Sequence, residues 1–175
     1  MSAQPWSPGA DPAQPVDPTA FRAIFRRHPA GVAVVTLTDG DRPVGFTATS
    51  VISVSAEPPV LVFSVAGTSS SWPALARAGS LTVNFLAADQ VDVSARFATS
   101  GIDRFAGVDW RRLPTGEPVI SGVPSWVRGE VLQRTAVGSS FLVAVRAVEA
   151  AQLGSGPPLV YHDRGYHRVD GSSAV

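Results

Sequence analysis

One segment concentrates the hydroxyl side chains that could address a ligand. Residues 46–55 read FTATSVISVS. In an extended strand successive side chains fall on opposite faces, which puts Phe46, Ala48, Ser50, Ile52 and Val54 on one and Thr47, Thr49, Val51, Ser53 and Ser55 on the other. The first face is mostly apolar, and the second carries four hydroxyls. A half-solvated strand with β-formers outside satisfies this pattern, and pattern alone favours it. The other reading is a row of neutral donors and acceptors along a flat ligand, such as the heteroatom edge of a flavin ring. That edge needs hydrogen bonds but no full charge, whereas a phosphate calls for an arginine or a helix start. Ser69-Ser70-Ser71 before Trp72-Pro73 offers such a start, or simply a serine N-cap.

Other chemistries are excluded by residue type. All fourteen basic residues are Arg, so Schiff-base catalysis by lysine is absent. With no Cys, disulfides, thiolate metal sites and cysteine nucleophiles drop out together. No GxxxxGK[ST], GxGxxG, GxSxG or HExxH pattern occurs. His162, Asp163 and His167 are loosely ligand-like, but their spacing suits no structural metal site, and no metal is expected. Fourteen acidic residues balance the arginines, and a neutral chain without a basic run argues against a nucleic-acid partner. Charged residues make up 16%, against about 25% in an average domain. Such a thinly charged surface suits an oligomer or a protein that docks a partner. No apolar run approaches the roughly 18 residues of a membrane span. Residues 1–17 lack the pattern of a signal peptide and read as a disordered leader, so a cytoplasmic, soluble protein is expected.

Stepping outward, the elements that must hold these residues are short. Gly and Pro together make 31 of 175 residues, which fits short strands and many turns. Asp17-Pro18 predicts a helix start, with Phe21, Ile24 and Phe25 as its apolar stripe. Strands are expected over residues 31–38 and, after the Asp39-Gly40-Asp41 turn, over residues 42–55 as one long strand. Residues 60–66 (VLVFSVA) read as a strand buried on both faces. A short helix is expected within 70–78, a strand over 80–86, and a helix over 89–98 capped by Asp89. Residues 100–115 read as irregular, and four more strands fall at 119–120, 125–135, 139–150 and 159–169. Seven or so strands with three short helices suggest a closed, mostly antiparallel barrel.

Four pieces in this order and spacing carry a family resemblance: FRAIFRRHPAGVAVVT, GFTATSVISVSAEPPVLVFSV, VNFLAADQVDVSARFA and PLVYHDRGYHRV. The chain resembles the flavin reductase-like proteins with an FMN-binding split barrel, the reductase components of two-component flavin-dependent monooxygenases. The resemblance covers residues 21–169. It implies a mainly β fold, a homodimeric Greek-key split barrel with a few short helices. The domain would span residues 18–170, with 171–175 as a tail. It also implies FAD or FMN as cofactor, NADH or NADPH as electron donor, and a monooxygenase partner that receives reduced flavin. Residue by residue, Thr47, Ala48, Thr49 and Ser50 match the family's flavin-contacting strand. Ser64, Val65 and Ala66 match the strand end along the cofactor. Ser69 and Ser70 fall near the phosphate end, and Asn84, Phe85 and Leu86 beside the ring system. Ser94, Arg96 and Phe97 match S-x-R-F-A, with Arg96 as the phosphate partner.

One departure concerns the nicotinamide. Family members that use NADH often carry Gly-Asp-His where this chain has Gly138-Ser139-Ser140. Ser140 supplies one hydrogen bond at most, and His162 or Tyr166 on the last strand is the expected substitute. In the family, hydride passes directly between nicotinamide and flavin, so no side chain need act as acid or base. Two other readings stay open on the resemblance: a flavin-binding protein without turnover, and an oxidase-type or haem-associated relative on the same barrel.

Overall fold

Residues 14–173 are described in the computed structural model; of the expected leader, residues 1–13 lie outside it, as do 174 and 175. Asp17 opens α1 (Pro18–Arg26), its Oδ1 accepting from the backbone N–H groups of Thr19 and Ala20. Two orphan donors of the first turn are thereby satisfied. The predicted stripe forms but is not buried: Phe21, Ile24 and Phe25 are 52%, 65% and 57% exposed.

The strands that follow are β1 (Ala30–Gly31), β2 (Ala33–Asp39), β3 (Arg42–Ala48), β4 (Ile52–Ala56) and β5 (Pro59–Ala66). The helix α2 (Trp72–Leu75), β6 (Ser80–Phe85) and the helix α3 (Val91–Ala98) come next. Last are β7 (Trp110–Arg112), β8 (Pro118–Ile120), β9 (Ser125–Val137), β10 (Ser140–Gln152), β11 (Leu159–His162) and β12 (Gly165–Arg168). A 3₁₀ turn at Gly171–Ser173 follows. Gly40, at φ +61, sits in the β2–β3 turn, where a left-handed backbone favours glycine.

Seven strands form one antiparallel sheet in the order β3-β2-β6-β9-β10-β5-β4. Its two edges, β3 and β4, are consecutive in sequence and joined by only residues 49–51. Four Cα steps reach about 14 Å at full extension, so the sheet must curl until its edges nearly meet. No ladder joins β3 to β4 among the described residues. The expected closed barrel is therefore corrected to a curled sheet that stays open along this split.

The same break corrects the strand expected over 42–55. Thr49, Ser50 and Val51 leave the ladder, and the alternation does not carry across them. Phe46 and Ala48 are buried as expected, but Ile52 and Val54, assigned to the same face, are 58% and 57% exposed. Ser50 Oγ supplies the missing ladder bonds itself, accepting from Ser64 N at 2.9 Å and donating to Ser64 O at 3.2 Å.

Two apolar cores lie on opposite faces of β2. Val35, Leu37, Phe46, Phe63 and Val143 pack inside the curl. Val34, Phe97, Phe105, Ile120 and Trp126 pack outside it, beneath α3 and the β7–β8 hairpin. Burial on both faces falls to β2 and β6, not residues 60–66; in β5 Leu61, Phe63 and Val65 are buried and Val60, Val62 and Ser64 are half-exposed. Pressed between the sheet and α3 is Gly45: a Cβ there would lie 2.6 Å from the Phe97 ring. Three further expectations change. Gln90, not Asp89, occupies the N-cap position of α3, with no side-chain cap bond. The strand over 159–169 is a hairpin turning at Asp163 and Arg164, both at positive φ. The irregular stretch 100–115 contains β7.

Candidate functional site

The split in the sheet is flanked by two cavities. The first, about 390 Å³, opens between β3, the end of β5 and the C-terminal turn of α3. Thr47, Ser64, Val65 and Ala66 line it, and Ser69, Ser70 and Phe97 complete it. These seven expected residues converge from four separated stretches of chain. The hydroxyl of Thr47 donates to Ser94 O at 2.6 Å, which fastens β3 to α3 beneath the cavity. Ser94, fully buried, exchanges a 3.0 Å hydrogen bond with the Tyr166 hydroxyl, so β12 is tied into the same chain of contacts.

The cation at this cavity is Arg104, which sequence reasoning missed. Its Nη1 donates to Gly45 O at 2.8 Å and Ser71 Oγ at 2.9 Å, its Nη2 reaches Ser70 Oγ at 3.4 Å, and its Nε bonds Thr99 O at 2.7 Å. No carboxylate pairs with it among the described residues. Burial pulls its pKa below the usual arginine value, although a guanidinium stays protonated throughout the working range. A half-buried cation held by neutral oxygens, with serine hydroxyls beside it, is an arrangement completed by an anion. A phosphate fits.

Arg96, the expected phosphate partner, does not line this cavity and is corrected to a supporting role. It donates from Nε to Arg104 O at 3.2 Å and from Nη2 to Asp103 O at 2.9 Å, and so braces the loop that presents Arg104. The reason is helical phase: Ser94 and Phe97 of α3 face the sheet, and Arg96 between them points along the 99–105 loop.

The strand β6 is likewise placed away from the cavity. Asn84 is fully buried, with Nδ2 donating to Val34 O and Thr36 Oγ1 at 3.0 Å each, and Oδ1 accepting from Ile120 N at 2.9 Å. Its amide is spent joining β2, β6 and β8. Leu86 lies in the outer core and Phe85 packs against the inner one. Ala48 is buried in the inner core.

The second cavity, about 780 Å³, lies on the other side of residues 49–51. Thr49 and Ser50 line it, opposite Arg22 and Phe25 of α1, with Tyr161 and Arg164 of the last hairpin at its side. The first cavity thus takes Thr47, and the second takes Thr49 and Ser50. Of the expected nicotinamide residues, neither His162 nor Tyr166 lines either cavity. His162 sits edge-on to His167 at 5.7 Å, and Tyr166 is engaged with Ser94 and packs at 5.2 Å on Tyr161. Ser140 pairs with Ala66 at the start of β10, behind the first cavity. Among the described residues no cluster of His, Asp or Glu could hold a metal, and no helix is long and apolar enough to cross a membrane.

The fold is thus an antiparallel curled sheet, split at one edge, with a half-buried arginine and a row of strand-end groups beside the split. The chain belongs to the flavin reductase like domain family, whose model matches residues 25–170. An NADH:FMN oxidoreductase of Rhodococcus qingshengii is 49% identical over 153 residues, 85% of this chain and 80% of its own. The reductase subunit HsaB of a flavin-dependent monooxygenase from Rhodococcus jostii (strain RHA1) is 31% identical, covering 95% of this chain and 86% of its own. The crystal structure of a flavin reductase domain protein from Arthrobacter sp. FB24 superposes with a TM-score of 0.83 at 38% identity, covering 87% of this chain and 95% of the other.

Proposed function

We infer that the chain is an NAD(P)H-dependent flavin reductase that supplies reduced flavin to a separate flavin-dependent monooxygenase. The observation that carries this reading is the first cavity, in which Arg104 and the Ser69–Ser71 hydroxyls form an anion site at the end of the β5 strand. In this reading Arg104, Ser69 and Ser70 hold the flavin phosphate. The half-buried strand end at Ser64, Val65 and Ala66 runs along the ring, and Thr47 keeps the floor of the cavity in place through Ser94. Flavin held there would supply the redox chemistry, as hydride acceptor for the reduced nicotinamide. The protein's part is to orient two flat groups against each other and to exclude water between them. Accordingly no perturbed acid–base pair is required at either cavity. The test follows the near-ultraviolet absorbance of NADH with purified protein and excess FMN. Many turnovers per protein molecule are expected; a bound flavin with no NADH consumption would leave a flavin carrier instead.

The working form in this reading is a homodimer. Exposed apolar side chains outside the second cavity, Phe21 and Ile24 on α1 and Val54 on the edge strand β4, support this. An apolar edge strand of this kind is ordinarily covered. Light scattering is expected to give about twice the 18.2 kDa of one chain, and Val54→Asp to shift the mass toward one. A wild-type mass of a single chain at micromolar concentration overturns the dimer.

A further inference from the structure

The second cavity has a charge pattern that the flavin site does not use. Arg22 and Arg26 of α1 and Arg164 of the β11–β12 turn all line it, and no Asp or Glu does. Five ion pairs exist among the described residues, and none includes any of these three. Of the other cavity-lining arginines, Arg42 and Arg168 are paired with Asp39 and Asp170, whereas Arg96 and Arg104 spend their donors on backbone and serine oxygens. Arg22 and Arg26 stand four residues apart on one helix, where like charges repel and destabilise it.

Arg164 is the second residue of the two-residue β11–β12 turn. Its φ is +66, a left-handed conformation that costs a side chain such as arginine on the order of 1–2 kcal/mol. Glycine follows only at position 165. The two-residue turn between His162 and Gly165 requires this conformation at both Asp163 and Arg164, so the hairpin itself fixes where Arg164 stands. Asp163 N donates to Arg26 O at 2.9 Å, so the turn is bound to the end of α1. The three guanidiniums therefore belong to two elements fastened together. The aromatic rings of Phe25 and Tyr161 border the same space.

We propose that Arg22, Arg26 and Arg164 form an anion subsite for the diphosphate of the pyridine-nucleotide donor, separate from the flavin phosphate site at Arg104. This rests on the reading of the chain as a pyridine-nucleotide-dependent reductase. Three unpaired cations more than balance the two negative charges of the donor's diphosphate bridge, guanidinium forks suit phosphate oxygens, and flanking aromatic rings suit the attached bases. The cavity is of ordinary ligand size. It also adjoins residues 49–51, whose far side faces the flavin cavity, so a donor held here approaches the flavin across the split.

The test uses ADP-ribose, which carries the diphosphate without the nicotinamide, titrated calorimetrically against the full-length protein. The Arg22→Gln/Arg26→Gln/Arg164→Gln variant is expected to bind it at least tenfold more weakly with FMN affinity unchanged, and its Michaelis constant for NADH should rise in step. Arg164→Lys should restore part of the loss. Arg164→Gly is expected to raise the melting temperature while still weakening ADP-ribose, an outcome that a purely structural arginine would not give. Unchanged ADP-ribose affinity in the triple variant overturns the subsite. A loss of FMN affinity instead overturns it too and assigns these arginines to the flavin. A wild-type protein that binds ADP-ribose through these arginines but oxidises no NADH overturns the reductase reading alone.

Discussion

Replacing Arg104 by glutamine weakens FMN binding by about 10- to 150-fold and leaves riboflavin binding nearly unchanged. Loss of a charged hydrogen bond costs about 1.5–3 kcal/mol, which converts to that range. The comparison with riboflavin separates two roles of one side chain. Arg104 bonds Gly45 O, Thr99 O and two serine hydroxyls, so removing it also loosens the loop that closes the cavity. Loosening penalises both flavins alike; the loss of the cation penalises only the one with a phosphate. A fluorescence titration of each, at low and high salt, reads the difference. The wild-type preference for FMN should shrink as salt rises, because a partly exposed cation is screened. Equal losses for the two flavins would reduce Arg104 to a loop brace and leave the phosphate without an assigned cation.

Why Arg104 was invisible in the sequence is a matter of long-range geometry. It is one of fourteen arginines in a stretch without periodic pattern, and only the fold decides which guanidinium is desolvated over the Ser69–Ser71 turn. Arg96 sits in a recognisable S-x-R-F-A segment, yet helical phase turns it away from the cavity. What was legible depended on local chemistry. Asp17-Pro18 predicted α1 through capping, and the β-branched runs of β2, β6, β9 and β10 predicted strands through propensity. The exposure of the α1 stripe was not legible, because periodicity predicts that a face is apolar but not what covers it.

The break at residues 49–51 escaped the same reasoning for a related cause. Thr-Ser-Val continues both the alternation and the propensity of its neighbours, and the interruption comes from curling the sheet until β3 and β4 lie at facing edges. Ser50 then bonds Ser64, fourteen residues on. The turn at Asp163-Arg164 was hidden because its glycine comes one place after the two residues at positive φ. Of the residues expected at the flavin, Thr47, Ser64–Ala66, Ser69–Ser70 and Phe97 line one cavity. Asn84 was not among them, since an asparagine in a strand can as well lock a core as meet a ligand.

The second large effect is expected at Glu117, which lines neither cavity. This residue is 2% exposed and faces Arg128, with Nε and Nη2 of the guanidinium each 3.0 Å from Oε1. Ser80 Oγ and Thr115 Oγ1 donate to the same carboxylate. Burial alone would push the carboxyl up, but the Arg128 bonds and the two hydroxyls outweigh it and hold the pKa at about 2 instead of 4.5. Since the folded-state value is depressed, the stabilisation is complete above the unfolded value and is lost as pH falls from about 5 toward 2. A shift of that size corresponds to about 3 kcal/mol. Glu117→Gln leaves Arg128 without its charge partner, and breaking a buried pair from one side costs about 3–5 kcal/mol. For a chain of this length that lowers the melting temperature at neutral pH by on the order of 10 °C. The variant should also lose most of the wild type's acid sensitivity between pH 5 and pH 2. Replacing both partners with apolar residues of similar size, as in Glu117→Leu/Arg128→Met, should cost less than either single change, because no charge is then stranded. Calorimetric melting of the three variants across this pH range decides it. If Glu117→Gln melts like the wild type at pH 7, the pair holds no net stability and the packing around β8 and β9 carries that end of the sheet.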